Sequence, residues 1–133
     1  MEEKHNNATP QRPEGARALN ASVLPIDMLK FIEQIKNEEA YLKNEKNAIT
    51  VLKTKQVTVT IVALKPGEML HPGNEEGVGM LILQVIDGYI TFESRGERAE
   101  LRKGYLLSLN DHLSFTARAK EESICLLTLF KQV

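Results

Sequence analysis

The spacing of apolar residues changes character twice along the chain. Up to about Asn20, Pro10, Pro13 and Gly15 stand among polar side chains. Such a composition buries too little apolar surface to offset chain entropy, which predicts a flexible tail over residues 1–20. From Asp27 onward, Met28, Phe31, Ile32 and Ile35 fall at i, i+3, i+4 and i+7, the stripe of an amphipathic helix. Asp27 suits the first turn through the helix dipole, and Pro25 discourages an earlier start. The stretch Asn37 to Asn44 is rich in Glu and Lys, with Glu39 and Lys43 at i, i+4 spacing, so the helix either continues weakly or frays there. A helical extension over residues 21–46 is predicted, and its apolar stripe needs a surface to pack on.

After about Asn47 the period becomes two. Ile49 and Val51, then Val57, Val59, Ile61 and Ala63, alternate with Thr50, Thr58 and Thr60, and β-branched residues at this spacing signal half-buried strands. Further strand-like runs cover Gly79 to Ile86, Tyr89 to Ser94, Ala99 to Arg102, Tyr105 to Leu109, His112 to Ala119 and Ser123 to Phe130. Turn signals separate them at Pro66-Gly67, Asp87-Gly88, Arg95-Gly96, Lys103-Gly104 and Asn110-Asp111. About eight short strands without an intervening helix predict an antiparallel sandwich or barrel over residues 47–133. The runs Met80 to Ile86 and Ile124 to Phe130 are apolar on nearly every position. Strands of that kind are covered on both faces, by the helix stripe, a neighbouring subunit or both, and a homodimer is predicted.

Composition narrows the function classes. A length of 133 residues with 42% hydrophobic content fits one core. Lys and Arg number 17 against 18 Asp and Glu, so there is no basic field of the kind that binds nucleic acid. No apolar stretch approaches the roughly 18–20 residues that span a bilayer. The first twenty residues lack an apolar core for a signal peptide, and a cytoplasmic location is expected. Cys125 has no partner thiol and lies in the apolar run Ile124-Cys125-Leu126-Leu127, where a thiol behaves as a small buried hydrophobe. No GxSxG, P-loop, HExxH or CxxC pattern occurs. Gly77-Val78-Gly79 precedes a strand instead of opening a nucleotide-binding helix.

The order of turns carries a resemblance. Lys65-Pro66-Gly67, a loop of about a dozen residues, and Leu83-Gln84-Val85-Ile86-Asp87-Gly88 resemble the first motif of the cupin superfamily, and Leu101 to Asn110 resembles the second. The match runs from roughly Val57 to Phe130. It implies an all-β, cupin-like double-stranded β-helix, a jelly-roll barrel, here with an N-terminal helix. Metal-binding cupins use three His and one Glu, donors suited to a transition metal with an open coordination site. On this resemblance the Glu place falls on Leu81, and the last His place on Phe115. The first two His places fall near Asn74 and Glu76, or near Gly73 and Glu75 when counted forward from Gly67. None of the four ligands stands at its place, and the metal site is degenerate.

The chain holds three histidines, His5, His71 and His112. His5 lies in the tail. In the last-but-one strand, Leu113, Phe115, Ala117 and Ala119 share one face, which leaves His112, Ser114, Thr116 and Arg118 on the other. His71 stands on the long loop, where barrel-mouth residues often bind ligands. The reading favoured here is a metal-free cupin-like protein of unknown substrate, a small-ligand-binding, sensory or structural module without a cofactor. A small apolar ligand would meet Leu81, Leu83 and Phe115 as lining, with His71 and Glu75 at the entrance. The alternative is a cupin-type metal enzyme, an isomerase or dioxygenase, with a rearranged site built from His71, Glu75 or Glu76, and His112.

Overall fold

Asp27 opens the helix as its cap. Its Oδ1 accepts a hydrogen bond from the Lys30 backbone N–H at 3.1 Å, satisfying one of the donors that a helix start leaves free. The structure, a computed structural model, describes residues 4–6, 17–70, 77–110 and 114–131. Two short strands, β1 (Lys4–Asn6) and β2 (Arg17–Asn20), pair with each other, and Leu19 and Asn20 of β2 are buried. Helix α1 (Met28–Asn37) is followed, after Glu38, by a second helix, α2 (Glu39–Asn44), so the Glu- and Lys-rich stretch neither frays nor simply continues α1. Glu39 and Lys43 form an ion pair within α2. The helix ends at Glu45, whose backbone is left-handed at φ 67° and donates its N–H to the Tyr41 carbonyl at 3.1 Å.

The remaining described residues are mostly strand. In order come β3 (Lys46–Lys53), β4 (Val57–Leu64), β5 (Met69–Leu70), β6 (Val78–Asp87), β7 (Tyr89–Ser94), β8 (Glu97–Arg102), β9 (Leu106–Asn110), β10 (Thr116–Ala119) and β11 (Ser123–Lys131). They make two antiparallel sheets, one of five strands ordered β3-β4-β11-β6-β9 and one of four ordered β5-β10-β7-β8. The main core lies between them, with Leu83, Val85, Ile90, Ala117 and Cys125 fully buried. The β6–β7 turn needs Gly88. Its φ is +102°, and a Cβ there would overlap the Ser123 hydroxyl and the Glu122 carbonyl. Ser123 uses the space left free, accepting from the Tyr89 N–H at 3.0 Å and donating to the Glu121 carbonyl at 2.8 Å.

The helices form a third layer on the outer face of the five-stranded sheet. Ile35 is fully buried there against Ile49, Val51, Ile61, Ala63 and Ile124, flanked by Met28, Phe31 and Ile32. Burial of one such isoleucine stabilises by about 1.5–3 kcal/mol. Asn47 fastens the layer. Its Nδ2 donates to the Ile35 carbonyl at 3.1 Å and to Glu38 Oε1 at 2.8 Å, serving a carbonyl of the last turn of α1. Lys36 meets Glu122 at 3.3 Å, a half-exposed pair worth less than about 1 kcal/mol.

This third layer decides which face of β3 and β4 looks where. Ile49 and Val51 of β3 and Val59 and Ile61 of β4 pack under the helices, whereas Thr50, Thr58, Thr60 and Val62 face the other sheet. It also supplies the second cover predicted for the doubly apolar strands, but unevenly. On β11 it reaches Ile124 and Leu126. On β6, Met80 and Ile82 are half-buried and Gln84 is exposed, because the helices lie over β3 and β4 and leave this end of the sheet uncovered. In β10 and the residues before it, Phe115, Ala117 and Ala119 are buried and Ser114, Thr116 and Arg118 exposed, as the alternation predicts. His112 and Leu113 lie outside the described residues.

Candidate functional site

The register of the five-stranded sheet aligns its inward side chains in rows that cross every strand they meet. One row reads Lys53, Thr58, Leu129, Leu81, Leu109, and the next reads Thr50, Thr60, Leu127, Leu83, Leu107. A third reads Ala48, Val62, Cys125, Val85. The first two rows thus pass from polar side chains on β3 and β4 to large apolar ones on β11, β6 and β9.

The consequence, among the described residues, is a cavity at one side of the barrel. It measures about 460 Å³ and lies between the inward faces of β3, β4 and β11 and the short edge strand β5. Thr50, Thr58 and Thr60 line it on one side, and Val62, Leu64, Leu70, Leu127 and Leu129 supply its apolar wall. It opens along the edge strand β3, where Lys46, Ala48 and Lys53 are exposed. A cleft of this size, with apolar walls and a few polar groups, matches small-molecule sites in general.

Thr58 is the one of the three threonines that stands out. Thr50 and Thr60 hydroxyls lie 3.4 Å apart and share a hydrogen bond. Thr58 is 6% exposed, and among the described residues its Oγ1 has no hydrogen-bond partner. A buried hydroxyl without a partner costs stability. Lys53 is its cross-strand neighbour on β3. That pairing depends on a register shift between Thr50 and Leu52, which places Val51 as an extra residue and turns Lys53 to the inner face.

The residues singled out in the sequence divide into two groups. Leu81, Leu83 and Phe115 are buried between the sheets, where Phe115 stacks on Phe92 at 5.3 Å between ring centroids. Leu81 and Leu83 stand next to the cavity's Leu129 and Leu127 and back its wall, though they do not line it themselves. His71, Glu75, Glu76 and His112 lie outside the described residues. Leu70, immediately before His71 in sequence, is part of the cavity wall.

In the sequence, Thr50, Thr58 and Thr60 are ordinary alternating polar positions, and nothing local singles out Lys46 or Lys53. The available signal was the helix stripe, since an apolar helix face must lie on the apolar face of a strand pair and so send the threonines inward.

The metal implied by the resemblance can be tested on two of its four ligand places. Leu81 and Phe115 offer no lone pair, and each is enclosed by further leucine and phenylalanine. Among the described residues no three His, Cys, Asp or Glu converge on a point. These residues do not fit the metal. Cys125 is fully buried, and burial alone pushes its thiol up to about 12, so it is a core side chain and not a thiolate nucleophile. Among the described residues no helix is long and apolar enough to cross a membrane.

No family model matches the chain, and no curated protein matches it. Solved structures do. The chain is similar to a mutant of salicylate 1,2-dioxygenase from Pseudoaminobacter salicylatoxidans, with a TM-score of 0.65 and 15% identity over 96% of this chain and 37% of that one. It is similar to a cupin superfamily protein from Desulfitobacterium hafniense, with a TM-score of 0.62 and 14% identity over 97% of this chain and 99% of that one. A third likeness is to KdgF from Halomonas sp., with a TM-score of 0.59 and 18% identity over 69% and 85% of the two chains. At such identities the likeness establishes architecture. The chain has the cupin fold, an all-β jelly-roll barrel, with its helices as an N-terminal addition.

Proposed function

We propose that this cupin-fold chain is a metal-independent module that binds a small, mostly apolar molecule inside its barrel, in a sensory or structural role. The observation that carries this is the division of the barrel interior. Where the resemblance puts the metal, Leu81 and Phe115 sit in a closed core, and the open volume of about 460 Å³ lies instead beside the threonines of β3 and β4. Cupin-fold proteins include enzymes such as the salicylate dioxygenase, but one fold hosts many activities, so the site decides.

Metal analysis of protein prepared without chelator tests the proposal directly, paired with thermal melts in the presence of small apolar compounds. Metal well below one equivalent, melting unchanged by EDTA, and a rise in melting temperature with a ligand are expected. A stoichiometric transition metal that disappears in His71→Ala would overturn it, in favour of a metal enzyme using His71, Glu75 and His112.

A homodimer belongs to the same proposal. The half-buried Met80 and Ile82 of β6 lie on the sheet face that the helices leave uncovered, as does the exposed Leu106 of β9, which stands opposite Gln84. A solution mass of two chains is expected, falling to the 15.0 kDa of one chain in Ile82→Lys. A single-chain mass for the unmodified protein removes the dimer from the proposal.

A further inference from the structure

The chemistry of the cavity points beyond a merely apolar ligand. Its described lining contains two charged residues, Lys46 and Lys53, and no acidic one. Among the described residues neither lysine is in an ion pair, although Glu39, Glu100 and Glu122 all are. Both lysines are exposed on the edge strand along which the cleft opens, where a positive rim raises the local concentration of anions.

The two ends of the cavity are not equivalent. At one end Lys46 is the cross-strand neighbour of Leu64, an apolar side chain with nothing to offer an anion. At the other, Lys53 is the neighbour of Thr58, the buried hydroxyl without a partner. A hydroxyl donates one hydrogen bond and an ammonium three, and a carboxylate accepts from both. Charge-assisted bonds of this kind are the strong ones. Beyond Thr58, the row continues into Leu129, and the neighbouring rows add Leu127 and Val62, which suit a hydrocarbon.

Resting on the cavity-binding function proposed above, we infer that the ligand is an amphipathic carboxylate, with its head at Lys53 and Thr58 and its hydrocarbon body along Val62, Leu64, Leu127 and Leu129. The site explains the orphan hydroxyl: the bond that Thr58 lacks among the described residues is the bond that it makes to the ligand.

The experiment is calorimetric titration of the full chain with octanoate, octanol and octylamine, which share a tail and differ in head charge. Octanoate should bind at least tenfold tighter than octanol, and octylamine should show no binding. Lys53→Gln should weaken octanoate about tenfold and leave octanol unchanged, while Lys46→Gln should weaken octanoate less than threefold. Thr58→Val, nearly isosteric, should weaken octanoate several-fold without lowering the melting temperature, which separates a lost contact from a damaged fold.

Equal binding of all three probes, or a larger loss in Lys46→Gln than in Lys53→Gln, overturns the carboxylate assignment and leaves the cavity as a binding site. If none of the probes binds and a neutral aromatic such as naphthalene does, the head group is wrong. If naphthalene also fails, the cavity-binding function itself fails.

Discussion

The two halves of one sheet face make the central contrast in this molecule. On β3 and β4 the inward positions hold Thr50, Thr58, Thr60 and Lys53, and in the same rows β11, β6 and β9 hold Leu127, Leu129, Leu81, Leu83, Leu107 and Leu109. Backbone pairing runs unbroken from one half to the other. What differs is the size and polarity of the side chains, and that is enough to leave one half a cavity and the other a close-packed core. A sheet whose inward residues shrink toward one edge is thus enough to leave an open volume inside the barrel.

Several substitutions would break or sharpen this contrast. The largest effect is expected from Leu83→Ala, which removes a fully buried side chain from the filled half and should cost about 2–5 kcal/mol in urea unfolding. Thr60→Ala in the open half should cost under about 1 kcal/mol, and similar losses at the two sites would erase the distinction. Next in size, Thr58→Val should stabilise the ligand-free protein by roughly 1 kcal/mol, because it removes a buried hydroxyl that has no partner among the described residues. A loss of stability there would mean that the hydroxyl is already satisfied.

The smallest expected effect concerns Cys125, at the boundary between the halves. Its thiol is held protonated by burial, with the folded value raised to about 12. An unfolded thiol ionises near pH 8.5, so the contribution of this group to stability is complete below that pH and is lost progressively as pH rises toward 12. Alkylation at pH 8 should accordingly be slow in the folded protein and fast in urea. Rapid labelling of the native chain would show that water reaches the row containing Val62 and Val85.

Much of the fold was legible along the chain. Asp27 and the stripe from Met28 to Ile35 mark a real helix, and the turn residues bracket strands that the structure reproduces within a few positions, Tyr89–Ser94 among them. The alternation around Phe115, Ala117 and Ala119 also predicts the correct inward face. The site was far less legible. Alternation at Ile49, Val59 and Ile61 shows that two faces differ, but the direction of each depends on a helix layer whose placement is a tertiary fact. The cavity itself arises from neighbours such as Thr58 with Leu129 and Thr60 with Leu127, about seventy positions apart in the chain, and no local pattern announces such a pairing.

The extra residue in β3 has a consequence for how such a protein diversifies. Val51 is the residue that the pairing skips: Thr50 stands opposite Thr60, Leu52 opposite Val59 and Lys53 opposite Thr58. Paired without the bulge, the same sequence would set Leu52 opposite Thr58 and turn Lys53 to the helix side. Deleting Val51 would heal the bulge and leave Lys53 opposite Thr58, with Leu52 taking the place of valine under the helices. On the carboxylate assignment, the deletion variant should keep its preference for octanoate over octanol, and a lost preference would show that the strand re-registers. The lip of this barrel is in that sense buffered against a change in strand length, since one codon can be lost from β3 without changing the side chain opposite Thr58.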